Sequence, residues 1–296
     1  MTVTFKQLRL FLTLAELGSI SRAARECNVT QPTASMQLKA ISDTLDTPLY
    51  EVISKRVHLT DAGNDLARTA RAIVEEWAAF EQRMNAAKGL TRGKLRVAVV
   101  STAKYFVPRL LGTFCAKHPE IDISLEVLNR DGVVQRLREN RDDLYIMSIP
   151  PMDIDLEDRV FMPNPLVAIA ARSHPLARAR GLKLGDLAKL RFILRERGSG
   201  TRMAVDGHFK RHKFKPNLRL ELGSNEAIKE AVAGNLGVSV ISSHALHGKA
   251  AEHGVSVLNV TGFPIESRWH VVWHRNKRLS PIARVFQEHL LAQSGK

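Results

Sequence analysis

With 296 residues, 44% of them hydrophobic, the chain is long enough for two or three domains with packed cores, and its formal charge of +14 suits a nucleic-acid partner. Two cysteines, Cys27 and Cys115, exclude a disulfide framework and have no metal-ligand spacing. No apolar run approaches the ~18 residues that cross a bilayer, and the N-terminus lacks the cationic start and apolar core of a leader, so a soluble cytoplasmic protein is expected.

Phe5, Leu8, Phe11, Leu12 and Ala15 make an amphipathic first helix. Residues Ser19–Leu45 then read as two helices joined by the turn Cys27-Asn28-Val29, with Ser19 and Thr30 as caps and Pro32 in a first turn that needs no N–H. Ile20, Ala23 and Ala24 face inward on the shorter helix. Ala34, Leu38, Ile41 and Leu45 do so on the longer one, leaving Gln31, Pro32, Thr33, Ser35, Met36 and Lys39 for a groove. Leu49–Thr60 looks like a two-stranded wing tipped by Lys55 and Arg56. An ordinary helical hairpin explains residues 19–45, whereas a winged helix-turn-helix explains residues 1–60. Ser19, Ser21, Arg22, Thr30, Gln31, Pro32, Thr33, Ser35, Met36, Lys39, Lys55 and Arg56 are therefore the candidate contacts to double-stranded DNA. Lys55, Arg56 and Arg22 would meet phosphates; Gln31, Thr33, Ser35 and Lys39 would read base edges.

A long helix occupies most of residues 61–92. Leu66, Ala70, Ile73, Trp77, Phe80 and Met84 follow a heptad rhythm that marks a dimerisation seam rather than a core helix of one chain. From residue 93 to 296 strands alternate with helices in an open α/β arrangement, and the β-α-β-α-β order of its first three strands implies a parallel sheet. Strands are expected at Leu95–Val100, Ile121–Leu128, Leu144–Ile149, Leu166–Ala171, Phe192–Leu194, Arg219–Leu222, Val238–Ile241 and Trp269–Trp273. Helices are expected at Tyr105–His118, Val133–Glu139, Thr201–His212, Glu226–Ala233 and Pro281–Leu291. The prolines at 150–151 and 163–165 read as a crossover.

Residues 1–92 hold 12 Lys/Arg against 10 Asp/Glu, and residues 93–296 hold 32 against 20. That surplus fits either a generally cationic surface or a cleft for an anionic small molecule. Ligands of open α/β sheets bind beyond the C-terminal ends of strands. The stretches in that place supply Ser101, Thr102 and Lys104; Ser148; Ser224 and Asn225; and Arg195, Arg197, Ser199, Thr201 and Arg202. The last group sits in RERGSGTR, where free N–H groups and three arginines suit phosphate or carboxylate. The serines alone are as readily helix caps. GSGT is not a nucleotide-hydrolysing loop, since the longer glycine spacing and Lys-Ser/Thr ending are absent. His208 and His212 stand at i, i+4 but read as part of a basic solvated face, and no nucleophile elbow or dinucleotide fingerprint occurs. No catalysis, metal or cofactor is expected.

Residues 4–63 resemble the DNA-binding domain of LysR-type transcriptional regulators. The carrying residues are Leu8, Phe11, Ser19, Ala23, Ala24, the run Thr30–Ser35, and Leu59-Thr60-Asp61-Ala62-Gly63. Many members have Arg where this chain has Met36 and Val52. SMQLK, SKRVHLTDAG, RERGSGTRM, LGSNEAIKEAVAGNLGVSVIS and RLSPIARVF are similar to the branch that controls carbon-fixation (RuBisCO) operons, where Met36 is ordinary. The resemblance implies an effector domain of two Rossmann-like lobes, as in periplasmic binding proteins. Lobe I would take about 93–162 and 268–296, and lobe II about 163–267. It also implies a homodimer or homotetramer, an activator that meets RNA polymerase, and an anionic effector such as ribulose bisphosphate, phosphoenolpyruvate or NADPH. Rival readings are a LysR-type regulator of another metabolic operon and a solute-binding or sensing protein whose N-terminal helices make only protein contacts.

Overall fold

The computed structural model describes residues 2–53, 56–87, 93–246, 248 and 250–292. It divides into two compact units, Met1–Leu90 with Glu139–Arg141, and Thr91–Arg138 with Asp142–Lys296.

The first unit runs α1 (Phe5–Leu17), α2 (Ile20–Glu26), α3 (Gln31–Leu45), β1 (Tyr50–Ile53), β2 (Arg56–Leu59) and α4 (Asp61–Ala87). Thr4 and Gln7 form a reciprocal cap that starts α1, and Gly18, at φ 64°, ends it in the left-handed region where glycine carries no Cβ penalty. Leu10, Phe11 and Leu14 of α1 pack with Ala23, Ala24, Ala34, Leu38 and Ile41 of the next two helices. Each fully buried leucine or phenylalanine there contributes about 1.5–3 kcal/mol, and the three alanines let the helices cross closely. Leu45 departs from the expected face: it is 44% exposed, because the helix ends there and Asp46 turns the chain through a left-handed φ of 47°. Strands β1 and β2 pair antiparallel from Tyr50↔Leu59 to Ile53↔Arg56. Lys55, at the expected wing tip, lies outside the described residues. Gly63 is required at the start of α4, since a Cβ there would lie 1.9 Å from the Leu49 carbonyl oxygen.

Helix α4 has 27 residues, about 40 Å at 1.5 Å per residue. Leu66 packs on the core of this unit and Ala70 is buried. Ile73, Trp77, Phe80 and Met84 are 43–51% exposed and continue the stripe outward, with the Trp77 and Phe80 rings tilted against each other at 5.6 Å.

The second unit begins with β3 (Gly93–Val100), α5 (Val107–Lys117), β4 (Ile121–Leu128), α6 (Arg130–Arg138), β5 (Leu144–Met147) and β6 (Leu156–Pro163). It continues through β7 (Leu166–Ala171), β8 (Arg191–Arg195), α7 (Gly200–Arg211), β9 (Asn217–Leu222), α8 (Asn225–Ala233) and β10 (Ser239–Ser242). Last come β11 (Val255–Val257), β12 (Arg268–His274) and α9 (Pro281–Leu291). One sheet has the order β4-β3-β5-β12-β6. Its β3 is parallel to β4 and β5, whereas β12 is antiparallel to β5 and β6. Val97, Val99, Phe114, Val133, Ile146, Phe161, Val271 and Phe286 belong to its core, so the last strand and helix close on the first lobe. The intervening lobe holds the antiparallel sheet β10-β7-β11 and the parallel pair β8-β9, joined by a Phe192↔Val238 bridge.

Strands β4, β3 and β5 are parallel, as the alternation of residues 95–149 implies, and the returning β12 with β6 makes the whole sheet mixed. Strand β6 occupies the stretch read as a crossover, because its partner β12 arrives from more than a hundred residues away. The expected helix from Tyr105 divides into a single 3-10 turn, Ser101–Tyr105, and α5, whose first turn accommodates Pro108. Among the described residues no helix is long and apolar enough to cross a membrane.

Candidate nucleic-acid interface and anion pocket

Helices α2 and α3 are each started by a hydroxyl. Ser19 Oγ accepts from the Arg22 amide at 3.5 Å, and Thr30 Oγ1 from the Thr33 amide at 3.4 Å. Asn28 takes φ 54° in the turn between them, a conformation its short polar side chain tolerates. With Ala34, Leu38 and Ile41 facing inward, Gln31, Pro32, Met36 and Lys39 are exposed and Thr33 and Ser35 half-buried on one outer surface. Ser21 Oγ donates to Gln31 Oε1 at 2.8 Å, which ties α2 to the first turn of α3 and orients the Gln31 amide. Arg22 and Arg56 are exposed. The surface combines amide, hydroxyl and cation donors of the kinds that meet base edges and phosphates.

The second unit carries a small pocket lined by Val100, Ser101, Thr102, Arg130, Ser148, Arg195, Ser199, Gly200, Thr201 and Trp269. Its position follows from topology. Ser101 and Thr102 follow β3, Arg130 follows β4, Ser148 follows β5, Arg195 ends β8, and Ser199 caps α7. These are C-terminal strand ends, where open α/β folds bind ligands.

Arg195 is 2% exposed and saturated. Its Nε and Nη2 donate to the two carboxylate oxygens of Glu196 at 2.7 and 2.8 Å. Nη2 also reaches Ser101 Oγ at 3.1 Å, and Nη1 reaches Asn225 Oδ1 at 3.3 Å. Asn225 Nδ2 in turn donates to Thr102 Oγ1 at 3.2 Å. Arg195 therefore joins the two lobes at the pocket floor with its charge neutralised.

Arg130 is different. Its Nε donates to the Ile149 carbonyl at 2.9 Å, while among the described residues its Nη1 has only Asp131 at 3.9 Å, although the side chain is 12% exposed. The pocket also holds the Ser148 and Thr201 hydroxyls and the start of α7, whose first N–H groups have no acceptor within the helix. None of its lining residues is a carboxylate. Donors converge and acceptors are scarce, so the chemistry suits an oxyanion.

Several sequence candidates lie elsewhere. Arg197 is exposed, with its backbone N–H donating to Glu221 Oε1 at 3.2 Å. Arg202 is buried but turned into its own lobe, where Nε meets Asp206 at 2.9 Å and Nη1 meets Glu221 at 2.7 Å. These two donors hold the Glu221 carboxyl below its usual range, Arg202 foremost. Lys104 pairs with Glu226 at 3.0 Å, and Ser224 accepts from the Ala227 amide at 3.1 Å as a cap. Four lining residues were not among the sequence candidates: Val100, Arg130, Gly200 and Trp269. Arg130 occupies a strand-to-helix junction like that of Ser101 and was open to the same rule; Trp269 had no sequence signal. His208 is 5% exposed, not solvated, with its ring 4.3 Å from that of His212. Burial lowers its pKa, the neighbouring His212 and Arg211 adding to the shift. Among the described residues no group of three or more His, Cys, Asp or Glu is placed to hold a metal ion.

Comparison with known proteins bears on both sites. Residues 5–64 match the family described as "Bacterial regulatory helix-turn-helix protein, lysR family", and residues 88–295 match "LysR substrate binding domain". The chain is 40% identical to the HTH-type transcriptional activator CmpR of Synechocystis over 98% of its length and 95% of that protein. It is also 40% identical to the RuBisCO operon transcriptional regulator of Acidithiobacillus ferrooxidans, over 98% and 94%. The regulatory domain of Synechocystis CcmR in complex with 2-PG superposes with a TM-score of 0.66 at 48% identity, covering 69% of this chain and 98% of that one.

Proposed function

The chain belongs to the LysR family of bacterial transcriptional regulators, and from that premise we propose a regulator of carbon-fixation genes whose DNA complex responds to a phosphorylated metabolite. The observation that carries this reading is the donor-lined pocket between the lobes of the second unit. Arg130 and the Ser148 hydroxyl come from the first lobe, and Thr201 with the start of α7 from the second. An anion that touches both lobes binds one lobe arrangement more tightly than another and shifts the population toward it. The relatives named for RuBisCO operons, and the 2-PG complex of CcmR, support the choice of genes and ligand class.

The first unit supplies DNA recognition through α3, with Gln31, Thr33, Ser35 and Lys39 toward the groove. The exposed stripe Ile73, Trp77, Phe80 and Met84 supports self-association into a dimer or tetramer, which places two recognition helices on a two-fold site.

Thermal unfolding of the full chain with 2-PG, ribulose bisphosphate, phosphoenolpyruvate, NADPH or sulfate tests the ligand class, with gel shifts beside it. A metabolite at about 100 times its Kd adds about 2.7 kcal/mol, an upward shift of roughly 5–10 °C for a unit of this size. The active compound should also alter the DNA complex. If none of the phosphorylated compounds raises the melting temperature, the pocket is not an effector site.

A further inference from the structure

Trp269, which lines this pocket, carries a buried donor with no partner among the described residues. Trp269 is 1% exposed, and its buried indole Nε1 makes no hydrogen bond to any described residue. Proteins rarely leave a buried donor unmatched, because desolvation is then uncompensated. The ring is also held in place. Trp269 pairs with Met162 at a register shift between Trp269 and His270, and packs at 5.0 Å against Phe106 and 6.2 Å against His244. A donor so fixed does not turn to find an acceptor elsewhere, and the pocket it lines with Arg130, Ser148 and Thr201 holds hydroxyls and cations but no carboxylate.

We propose that Trp269 Nε1 is a ligand donor: it completes its hydrogen bonding only when an oxyanion occupies the pocket. The inference rests on the anion reading above and adds a residue and a role to it. Trp269 stands on β12, the strand by which the chain re-enters the first lobe, while Thr201 opens α7 of the second. One anion oxygen on Nε1 and others on the α7 start connect the two lobes at the strand that joins them. A purely structural tryptophan would fill the same volume but leave its N–H unused. Because an indole N–H does not titrate, its contribution is the same across the pH range in which the fold is stable.

The test uses the full chain with 15N-labelled tryptophan side chains. There are three, Trp77, Trp269 and Trp273, and the peak lost in Trp269→Phe identifies the one at issue. 2-PG, with inorganic phosphate in a parallel sample, should move that peak downfield and slow its exchange with solvent. Trp269→Phe should weaken 2-PG binding by about tenfold or more, the scale of a hydrogen bond to a charged group. A probe that raises the melting temperature while the Trp269 peak stays fixed overturns the role of Trp269 and leaves the anion reading standing. If neither probe changes the melting temperature, the anion reading fails and this inference falls with it. Should Trp269→Phe misfold, Trp77→Phe and Trp273→Phe assign the other two peaks, and the wild-type spectrum then decides.

Discussion

Tyr105 donates its phenol to Glu226 Oε1 at 2.6 Å, linking the turn after β3 in one lobe to the start of α8 in the other. Lys104 Nζ takes the second oxygen at 3.0 Å. Burial opposes ionisation of Glu226, but the Tyr105 hydroxyl and Lys104 ammonium outweigh it and hold the carboxyl at about 2. Burial, and then the adjacent carboxylate, raise the Tyr105 phenol above its ordinary range. A depressed carboxylate pKa gives stability that is fully present above about pH 4.3 and is lost as pH falls toward 2. Glu226→Gln should therefore lower stability by about 1 kcal/mol at pH 7, a modest figure because the pair is partly exposed. The gap to wild type should narrow as pH drops from 5 to 2.5, read from denaturant midpoints. A gap independent of pH would mean that the charge of Glu226 is not what links the lobes.

The pocket arginines should separate into two kinds of defect. Arg195→Ala leaves Glu196 and Asn225 without their buried partner and should cost about 3 kcal/mol of unfolding free energy, since a buried pair broken on one side is strongly destabilising. Arg130→Gln, with few partners to lose, should unfold within about 1 kcal/mol of wild type. It should nonetheless weaken 2-PG binding by roughly tenfold or more. Arg197→Ala should bind within about twofold of wild type. Calorimetric titration of the three variants checks the order, and a large loss of affinity in Arg197→Ala would move the site to the exposed loop.

Gly200 controls the room in the pocket. A Cβ there would stand 3.0 Å from Ser148 Oγ and 3.9 Å from the Arg130 side chain. Gly200→Ala should fold normally, since the position is the first residue of a helix, yet abolish the ligand-induced rise in melting temperature. Retention of the full rise would show that the anion sits away from α7.

On the recognition surface, removing a base-reading group and removing a phosphate contact should look different. Gln31→Ala also breaks the Ser21 link and should weaken operator binding by about tenfold with an unchanged salt dependence. Arg56→Gln should weaken all sequences alike and reduce the slope of log Kd against log salt by about one. A bulky residue at Ser35 should abolish specific binding and leave oligomerisation intact. Fluorescence anisotropy at several salt concentrations distinguishes these outcomes.

Local chemistry made the first unit legible. The caps Ser19 and Thr30, the alanines at the crossing and the apolar spacing of α3 all act over a few residues, so the pattern survives without knowledge of the rest. Leu45 misled because periodicity says nothing about where a helix stops. The second unit depends on distant pairings. Strand β6 reads as polar, irregular chain until β12 arrives beside it, and Pro163 ends a strand instead of only punctuating a loop. RERGSGTR drew attention as a cluster of cations, yet three arginines close in sequence point three ways: Arg195 to the floor between the lobes, Arg197 to solvent, Arg202 to Asp206 and Glu221. The proposed anion site depends on the meeting of Arg130 and Ser148, beyond β4 and β5, with Thr201 at the start of α7, which no local window contains.

The pairing of β6 with β12 has a consequence for how such proteins can be rebuilt. Pro163 faces Arg268 in the ladder, and the Asn164 amide donates to the Ser267 carbonyl at 2.8 Å. Residues 164–267 are thus a whole lobe carried in place of the turn of an ordinary hairpin. Entry and exit lie side by side, so the lobe can be cut out and a relative's inserted with only two seams, both on adjacent residues of one ladder. The second lobe's share of the pocket, Thr201 and the start of α7, could then be exchanged as a cassette, while Arg130, Ser148 and Trp269 stay behind in the first lobe.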